Sequence, residues 1–363
     1  MAVTIKYGPP KPIAYKAQLV PTVNVLKPII DTIAITCRAE AAYDYIVNNT
    51  AEAKLPTQLT DPNKFWLHIW KQLQLAASSD EFEQLLPAPK ERKLPQYRNN
   101  IVANLPGVST QPLLSFPSNL KKAPVRLQIN PAKLGLDGLI KLESTWDAVV
   151  GEFIPFRALF KEAIVTRLDT AVDLLGCDAS DILIHHQKVW KIWIATHPDT
   201  GVQTKQFYIK HSNQKSPFSR PNGRAHLTVY DKRAEQIAKN LEPPYGDSTH
   251  IRIERSQVTK QPVEDLLKLK PAFGGWTIVL LSKTQDFTKE QWLQYADSIS
   301  ARGIASASKL HPGMPSTFTE IRKAHIGIIK DDLWNQWNEN HAEGVLGKLA
   351  QWANQEISDH FAP

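Results

Sequence analysis

Arg167-Leu-Asp-Thr-Ala-Val-Asp173 decides how this chain is read. With the two-residue period of a β-strand, Arg167, Asp169 and Asp173 share one face, and Leu168, Val172 and Leu174 take the other. Two later stretches follow the same rule. His226-Leu-Thr-Val-Tyr-Asp-Lys232 groups His226, Thr228, Tyr230 and Lys232 opposite Leu227 and Val229. Ile251-Arg-Ile-Glu-Arg-Ser256 groups Arg252, Glu254 and Ser256 opposite Ile251 and Ile253. One reading is three antiparallel strands with a wet side and cross-strand ion pairs. The other is a functional face, because Asp is disfavoured in strands and a tyrosine sits beside a lysine and carboxylates. Alternation alone leaves both open.

Outward from these strands, Ile30-Asp-Thr-Ile-Ala-Ile-Thr36 and Val125-Arg-Leu-Gln-Ile-Asn130 read as strands, as do 189–196 and 205–210. Thr196-His-Pro-Asp-Thr-Gly201 supplies turn chemistry for a hairpin between the last two. Helices are expected over 39–48, 64–77, from 131 to about Val150, 263–269, 318–329 and 331–357. Thr288-Lys-Glu-Gln291 fits a capping box. Leu333, Trp337, Leu346, Leu349, Ala353 and Ile357 form an apolar stripe, read as core or as a face for a partner helix. Residues 78–120 are expected to be loop-rich, and the prolines that cluster between 87 and 131 argue for extended segments there rather than helices. The fold class is α+β, with 1–29 an extended arm, 30–270 the main domain and 271–363 a helical region. No repeat of fixed period is found.

Bulk composition narrows the classes. The chain has 363 residues, 42% hydrophobic and 22% charged, which excludes disordered and collagen-like classes. Its longest clean apolar stretch, Trp276-Thr-Ile-Val-Leu-Leu281, is far short of the ~20 residues of a spanning helix, so no membrane partner is expected. The N-terminus lacks the architecture of a signal peptide. Two cysteines, Cys37 and Cys177, with no CxxC, suit a reducing cytoplasm and exclude a disulfide scaffold or a zinc knuckle.

The net charge of +7 is concentrated in two runs. One, between 86 and 126, holds Lys90, Arg92, Lys93, Arg98, Lys121, Lys122 and Arg126. The other, between 201 and 233, holds Lys205, Lys210, Lys215, Arg220, Arg224, Lys232 and Arg233. Basic residues interleaved with Pro, Asn, Ser and Gly describe loops able to follow a phosphate backbone, or solvated loops that bind nothing. Lys210, Lys215, Arg220 and Arg224, with Arg167 and Arg252 on the strand faces, are the candidate DNA contacts.

The polar faces permit phosphodiester chemistry. Asp and Glu oxygens suit Mg2+ or Mn2+, and such an ion polarises a phosphodiester. A tyrosine hydroxyl is a poor nucleophile until a neighbour or a metal activates it. Lys232 is placed to lower its pKa or to hold a non-bridging oxygen. The product would be a phosphotyrosine.

Thr166-Arg-Leu-Asp-Thr-Ala-Val-Asp173, Thr228-Val-Tyr-Asp-Lys232 and Ile251-Arg-Ile-Glu254, in this order, resemble the replication initiation factor family. Its members start rolling-circle replication of small plasmids and some filamentous phages, and include relaxases. Val125-Arg-Leu-Gln-Ile-Asn-Pro-Ala-Lys-Leu134 is similar to the family's strand–Asn–Pro–turn–helix segment, and Ile30–Thr36 to its opening strand. The resemblance covers roughly 30–270. It implies curved antiparallel sheets in two related halves, with flanking helices and a helical C-terminal region that reads the origin. It implies that Tyr230 is the nicking nucleophile and Lys232 its base or phosphate clamp. Asp169, Glu254 and Asp173 would hold Mg2+ or Mn2+. The implied partners are double-stranded origin DNA with its exposed single strand, a host helicase and a second copy in a homodimer. Gln128 stands where relatives often carry an acidic residue. The stretch from Phe207 to Gly223 is longer than in compact relatives, and Tyr208 is a second candidate nucleophile.

Other motifs fall away. Adjacent His185 and His186 point to opposite strand faces, so they cannot form a His-x-His metal pair. No P-loop is present, so a separate motor is needed. Trp66, Trp70, Trp190 and Trp193 are read as core rather than base-stacking platforms. A relaxase and a non-catalytic origin-binding regulator are the alternatives.

Overall fold

The structure is a computed structural model. It describes residues 24–37, 43, 61–78, 85–89, 97–117, 125–186, 189–197, 199–209, 226–269, 272–280, 288–317, 320 and 344–355. Its centre is formed by the Ile- and Val-rich strands β2 (Ile29–Thr36) and β7 (Ile164–Leu175), which pair antiparallel. Outward from β2 lie β6 (Arg126–Ile129), β5 (Leu113–Pro117), β4 (Tyr97–Ala103) and β3 (Leu85–Pro87). Outward from β7 lie β12 (His250–Pro262), β11 (Leu227–Asp231), β10 (Gln203–Ile209) and β9 (Val189–Thr196). The short β1 (Asn24–Val25) pairs with the end of β7. Every strand pairing among the described residues is antiparallel. A separate two-stranded sheet joins β8 (Ile182–His185) to β13 (Thr277–Leu280).

One face of the large sheet is apolar, as the alternation of β7, β11 and β12 requires. Leu168, Val172, Leu227, Val229, Ile251 and Ile253 are all buried in one core. Helices cover that face: α1 (Pro62–Ala77), α2 (Pro131–Val150) and, far along the chain, α6 (Val345–Asn354). In α1, Phe65, Trp66, Ile69, Trp70 and Leu73 recur at helical spacing and turn inward. Asp61 begins this helix by accepting from the backbone amides of Asn63 (2.8 Å) and Lys64 (3.0 Å). Asn130 begins α2 in the same way, through the Lys133 amide at 3.0 Å. The path of α2 breaks at Gly135 (φ 65°), a left-handed backbone that glycine adopts without a Cβ clash.

Helix α6 joins the core of the sheet. Leu346, Leu349 and Ala353 from the apolar stripe are buried there, with Trp352 against Phe156 and Phe160. Leu333, Trp337 and Ile357 lie outside the described residues. A smaller cluster packs Leu183 against Trp292, Tyr295 and Ile299 of α4 (Lys289–Arg302) and Ala307 of α5 (Ile304–Leu310). The capping box of α4 forms: Thr288 Oγ1 accepts from the Gln291 amide and Gln291 Oε1 from the Thr288 amide. No helix among the described residues is long and apolar enough to cross a membrane.

Two sequence expectations change. The stretch 78–120 is not mainly loop, since β3, β4 and β5 form an antiparallel meander there. Among the described residues its prolines avoid the strand interiors: Pro87 ends the edge strand β3, Pro112 precedes β5 and Pro117 ends it. Lys232 is not a strand residue. Asp231 accepts from the Ala234 amide at 2.8 Å and starts helix α3 (Lys232–Ala238), so strand alternation stops one residue earlier. Trp66 and Trp70 are core, as expected. The side chains of Trp190 and Trp193 lie outside the described residues.

Candidate active site on the polar sheet face

Register brings the three polar strand faces into rows. Asp173, Arg252 and Tyr230 stand side by side across β7, β12 and β11. Ala171, Glu254 and Thr228 form the next row, and Asp169 pairs with Ser256 beyond it. Arg252 donates from Nε to Asp173 Oδ1 and from Nη2 to Asp173 Oδ2, both at 2.7 Å. Its Nη1 donates to Asp31 Oδ1 at 2.8 Å. Such fork-shaped pairing is among the stronger polar contacts a protein makes. His250 Nε2 lies 3.2 Å from Asp173 Oδ1.

Tyr230 is set into this charge network. Its hydroxyl donates to Glu254 Oε2 at 3.3 Å. Lys232 Nζ lies 5.7 Å from the centre of the Tyr230 ring, near enough for a cation–π contact. That ammonium also pairs with Glu235, one helical turn along α3. Asn130 Nδ2 reaches Asp31 Oδ1 at 3.4 Å and ties the start of α2 to the same centre.

Burial sets the proton affinities. Burial, then the charges of Asp31 and Asp169, push the Glu254 carboxyl up to about 7, against the pull of Arg252 and Arg167. Burial and the Glu254 charge hold the Tyr230 hydroxyl well above its ordinary value, with Arg252 pulling the other way and Glu235 and Asp31 adding to the rise. Asp173 goes the opposite way. Burial alone would raise it, but the hydrogen bonds and charges of Arg252 and His250 hold it well below the usual carboxylate range. Burial lowers Lys133, which also feels Asp31, Lys232 and Arg252.

The expected site residues therefore divide. Tyr230, Lys232, Arg252, Glu254, Asp173 and Asp169 lie on or beside one face. Arg252 is buried and closed on two aspartates, not displayed at the surface. Arg167 is partly exposed and pairs with Asp169. Lys210, Lys215, Arg220 and Arg224 lie outside the described residues. Tyr208 is 7% exposed and donates to Gln206 Oε1 at 2.7 Å on β10.

As ligands for a metal, the three expected carboxylates differ. Asp173 does not fit while Arg252 occupies both of its oxygens. Asp169 and Glu254 fit by donor chemistry, since a cation near them would offset the burial and the neighbouring negative charges that raise Glu254. Among the described residues, no group of three or more His, Cys, Asp or Glu is arranged to hold an ion.

Sequence reasoning missed Asp31, His250, Glu235 and Lys133. Strict alternation puts Asp31 with Ile33 and Ile35, which are core. The pairing of β2 with β7 slips between Ile30 and Thr32, and that bulge turns Asp31 onto the polar face. An acidic residue at an apolar position was the available signal. Glu235 needed the helix start at Lys232. No profile of a protein family matches the chain, and a comparison with curated proteins finds no match.

Proposed function

We propose that the protein is a rolling-circle replication initiator that nicks and rejoins one strand of its origin DNA through Tyr230. The observation that carries this reading is the Tyr230 hydroxyl bonded to Glu254 at 3.3 Å, inside a buried cluster of carboxylates and cations. The ordered motifs that resemble the replication initiation factor family supply the substrate class.

In the proposed step, the Tyr230 oxygen attacks a backbone phosphorus and its proton passes to Glu254. The bond between phosphorus and the 3′ oxygen breaks. The 3′ oxygen takes up a proton and becomes a free hydroxyl, which primes synthesis. Tyr230 keeps the 5′ phosphate. The reverse transesterification rejoins the strand without ATP, because the phosphotyrosine conserves the bond. Lys232, over the tyrosine ring, offsets charge developing on the phosphate. Arg252 positions Asp173 and Asp31 and fixes the strand that carries Glu254. Mg2+ or Mn2+, held by Asp169 and Glu254, would polarise the phosphodiester. The two runs of strands outward from β2 and β7 support a further part of the proposal, that the sheet consists of two related halves curved around DNA. A relaxase would use the same chemistry with a different fate for the strand, and either role needs a separate helicase.

A second reading has its own support. The Tyr230 hydroxyl is held in its protonated form, and Arg252 is closed within the protein. Both suit a non-catalytic origin-binding regulator. The test is incubation with a supercoiled plasmid bearing the origin, with and without Mg2+ or Mn2+, followed by a denaturing gel. Covalent attachment of DNA that disappears in Tyr230→Phe is expected. Specific retention of origin DNA with no nicking would sink the catalytic reading and leave the regulator. Attachment that survives Tyr230→Phe would move the nucleophile, with Tyr208 next in line.

A further inference from the structure

The proposed reaction leaves one proton without a source. Glu254 takes the Tyr230 proton, but the departing 3′ oxygen must receive one as its bond to phosphorus breaks. An in-line displacement puts the attacking and leaving oxygens on opposite sides of phosphorus. The donor therefore stands across the centre from Tyr230.

Most acids and cations around Tyr230 are already committed. Arg252 is closed on Asp173 and Asp31, and a guanidinium gives up no proton in a protein. Asp173 is held ionised by Arg252 and His250. His250 is buried, with Nε2 3.2 Å from Asp173 Oδ1. Lys232 is 8% exposed and bonded to Glu235. Its ammonium also lies over the Tyr230 ring, on the side of the nucleophile. Arg167 pairs with Asp169.

Lys133 differs on each count. Its side chain is exposed, although enough protein gathers round the ammonium for burial to lower its proton affinity. Among the described residues, that ammonium donates no hydrogen bond and closes no ion pair. Lys133 stands in the first turn of α2, where Asn130 Oδ1 accepts from its backbone amide at 3.0 Å. The other arm of the Asn130 side chain donates to Asp31 Oδ1 at 3.4 Å, so the turn that carries Lys133 is fastened to the centre. The charges of Asp31, Lys232, Arg252 and Glu235 act on the Lys133 ammonium. Those of Arg252, Glu235 and Asp31 act on the Tyr230 hydroxyl as well. The two groups share a neighbourhood without bonding to each other, and they enter it from opposite sides. In the strand order β6, β2, β7, β12, β11, Tyr230 belongs to the last strand and Lys133 follows the first. Tyr230 and Asp31 are half-buried and Lys133 is exposed, so all three are reached from solvent.

We propose that Lys133 is the general acid of the nicking step. Its ammonium gives a proton to the 3′ oxygen as the bond to phosphorus breaks. In the rejoining step the neutral amine takes that proton back from the 3′ hydroxyl, and Glu254 returns its own to the Tyr230 oxygen. This rests on the reading that Tyr230 nicks DNA.

The test uses a single-stranded oligonucleotide carrying the nick site mapped on the origin plasmid. One version has the ordinary 3′ oxygen at the scissile bond, and the other has sulfur there. A thiolate departs without a proton, since a thiol ionises near about 8.5. Single-turnover nicking is measured for the full chain as wild type, Lys133→Ala and Tyr230→Phe. Lys133→Ala should nick the oxygen substrate about 100-fold more slowly than wild type. On the sulfur substrate it should match the wild-type rate. Its thermal midpoint should stay at the wild-type value, as for other substitutions on an exposed surface. Tyr230→Phe should become attached to neither substrate. An equal loss on both substrates overturns the acid and leaves Lys133 as a contact to the phosphate. No loss on either makes Lys133 a solvated helix residue, which overturns the proposal and leaves nicking by Tyr230 standing. Wild type that nicks neither plasmid nor oligonucleotide overturns the acid together with the reaction it serves.

Discussion

Glu254 carries a buried charge that its surroundings resist. Its carboxyl is pushed from 4.5 up to about 7 by burial and by Asp31 and Asp169. The folded protein therefore holds a proton that the unfolded chain releases near 4.5. That stabilisation is fully present below about pH 4.5 and is lost as the pH rises through about 7. Glu254→Gln removes the dependence. Urea unfolding should find the variant close to wild type at pH 5 and more stable by about 1–3 kcal/mol at pH 8. Nicking should fall at both pH values, because the amide cannot take the Tyr230 proton. An unchanged stability difference between pH 5 and 8 would count against the raised carboxyl. Arg252 predicts differently: Arg252→Met leaves the buried Asp173 and the half-buried Asp31 without their guanidinium and should cost about 3–5 kcal/mol. A variant as stable as wild type in the same urea experiment would refute that.

Helix α3 shows how one element edits a site. Asp231 ends β11 and starts the helix, so Lys232 leaves the strand yet still reaches the Tyr230 ring from above. Asp231→Ala removes the cap and should cost about 1 kcal/mol in urea unfolding. The proposed nicking rate should drop more than this loss of stability accounts for, since the position of Lys232 depends on the cap. An equal drop in both would assign Asp231 a purely structural part. Helix α6 does different work. Trp352 is fully buried against Phe156 and Phe160, so Trp352→Ala should cost about 3–5 kcal/mol. Loss of the thermal transition of the whole sheet domain, not of a separate C-terminal unit, is the expected calorimetric result.

In the molecule as a whole, one apolar face is sealed by helices from three distant parts of the chain, and the opposite face gathers the charges. The two-residue alternation of β7, β11 and β12 made both faces legible, because side-chain direction in a strand is local geometry. Tyr230, Arg252, Glu254, Asp169 and Asp173 could be placed on polar faces for that reason, and the capping box at Thr288 was equally local. Partnership was not legible. That Arg252 closes on Asp173 and Asp31, that Asp31 is turned by a bulge, and that β3 to β5 form a meander through a proline-rich stretch all depend on strand order and register. Those are settled by contacts between residues up to 221 positions apart, as in the Arg252–Asp31 bond. Local chemistry told which residues face the same way, and only packing of the whole chain told which of them meet, because meeting is fixed by the sheet's register and a sequence pattern carries no register between strands.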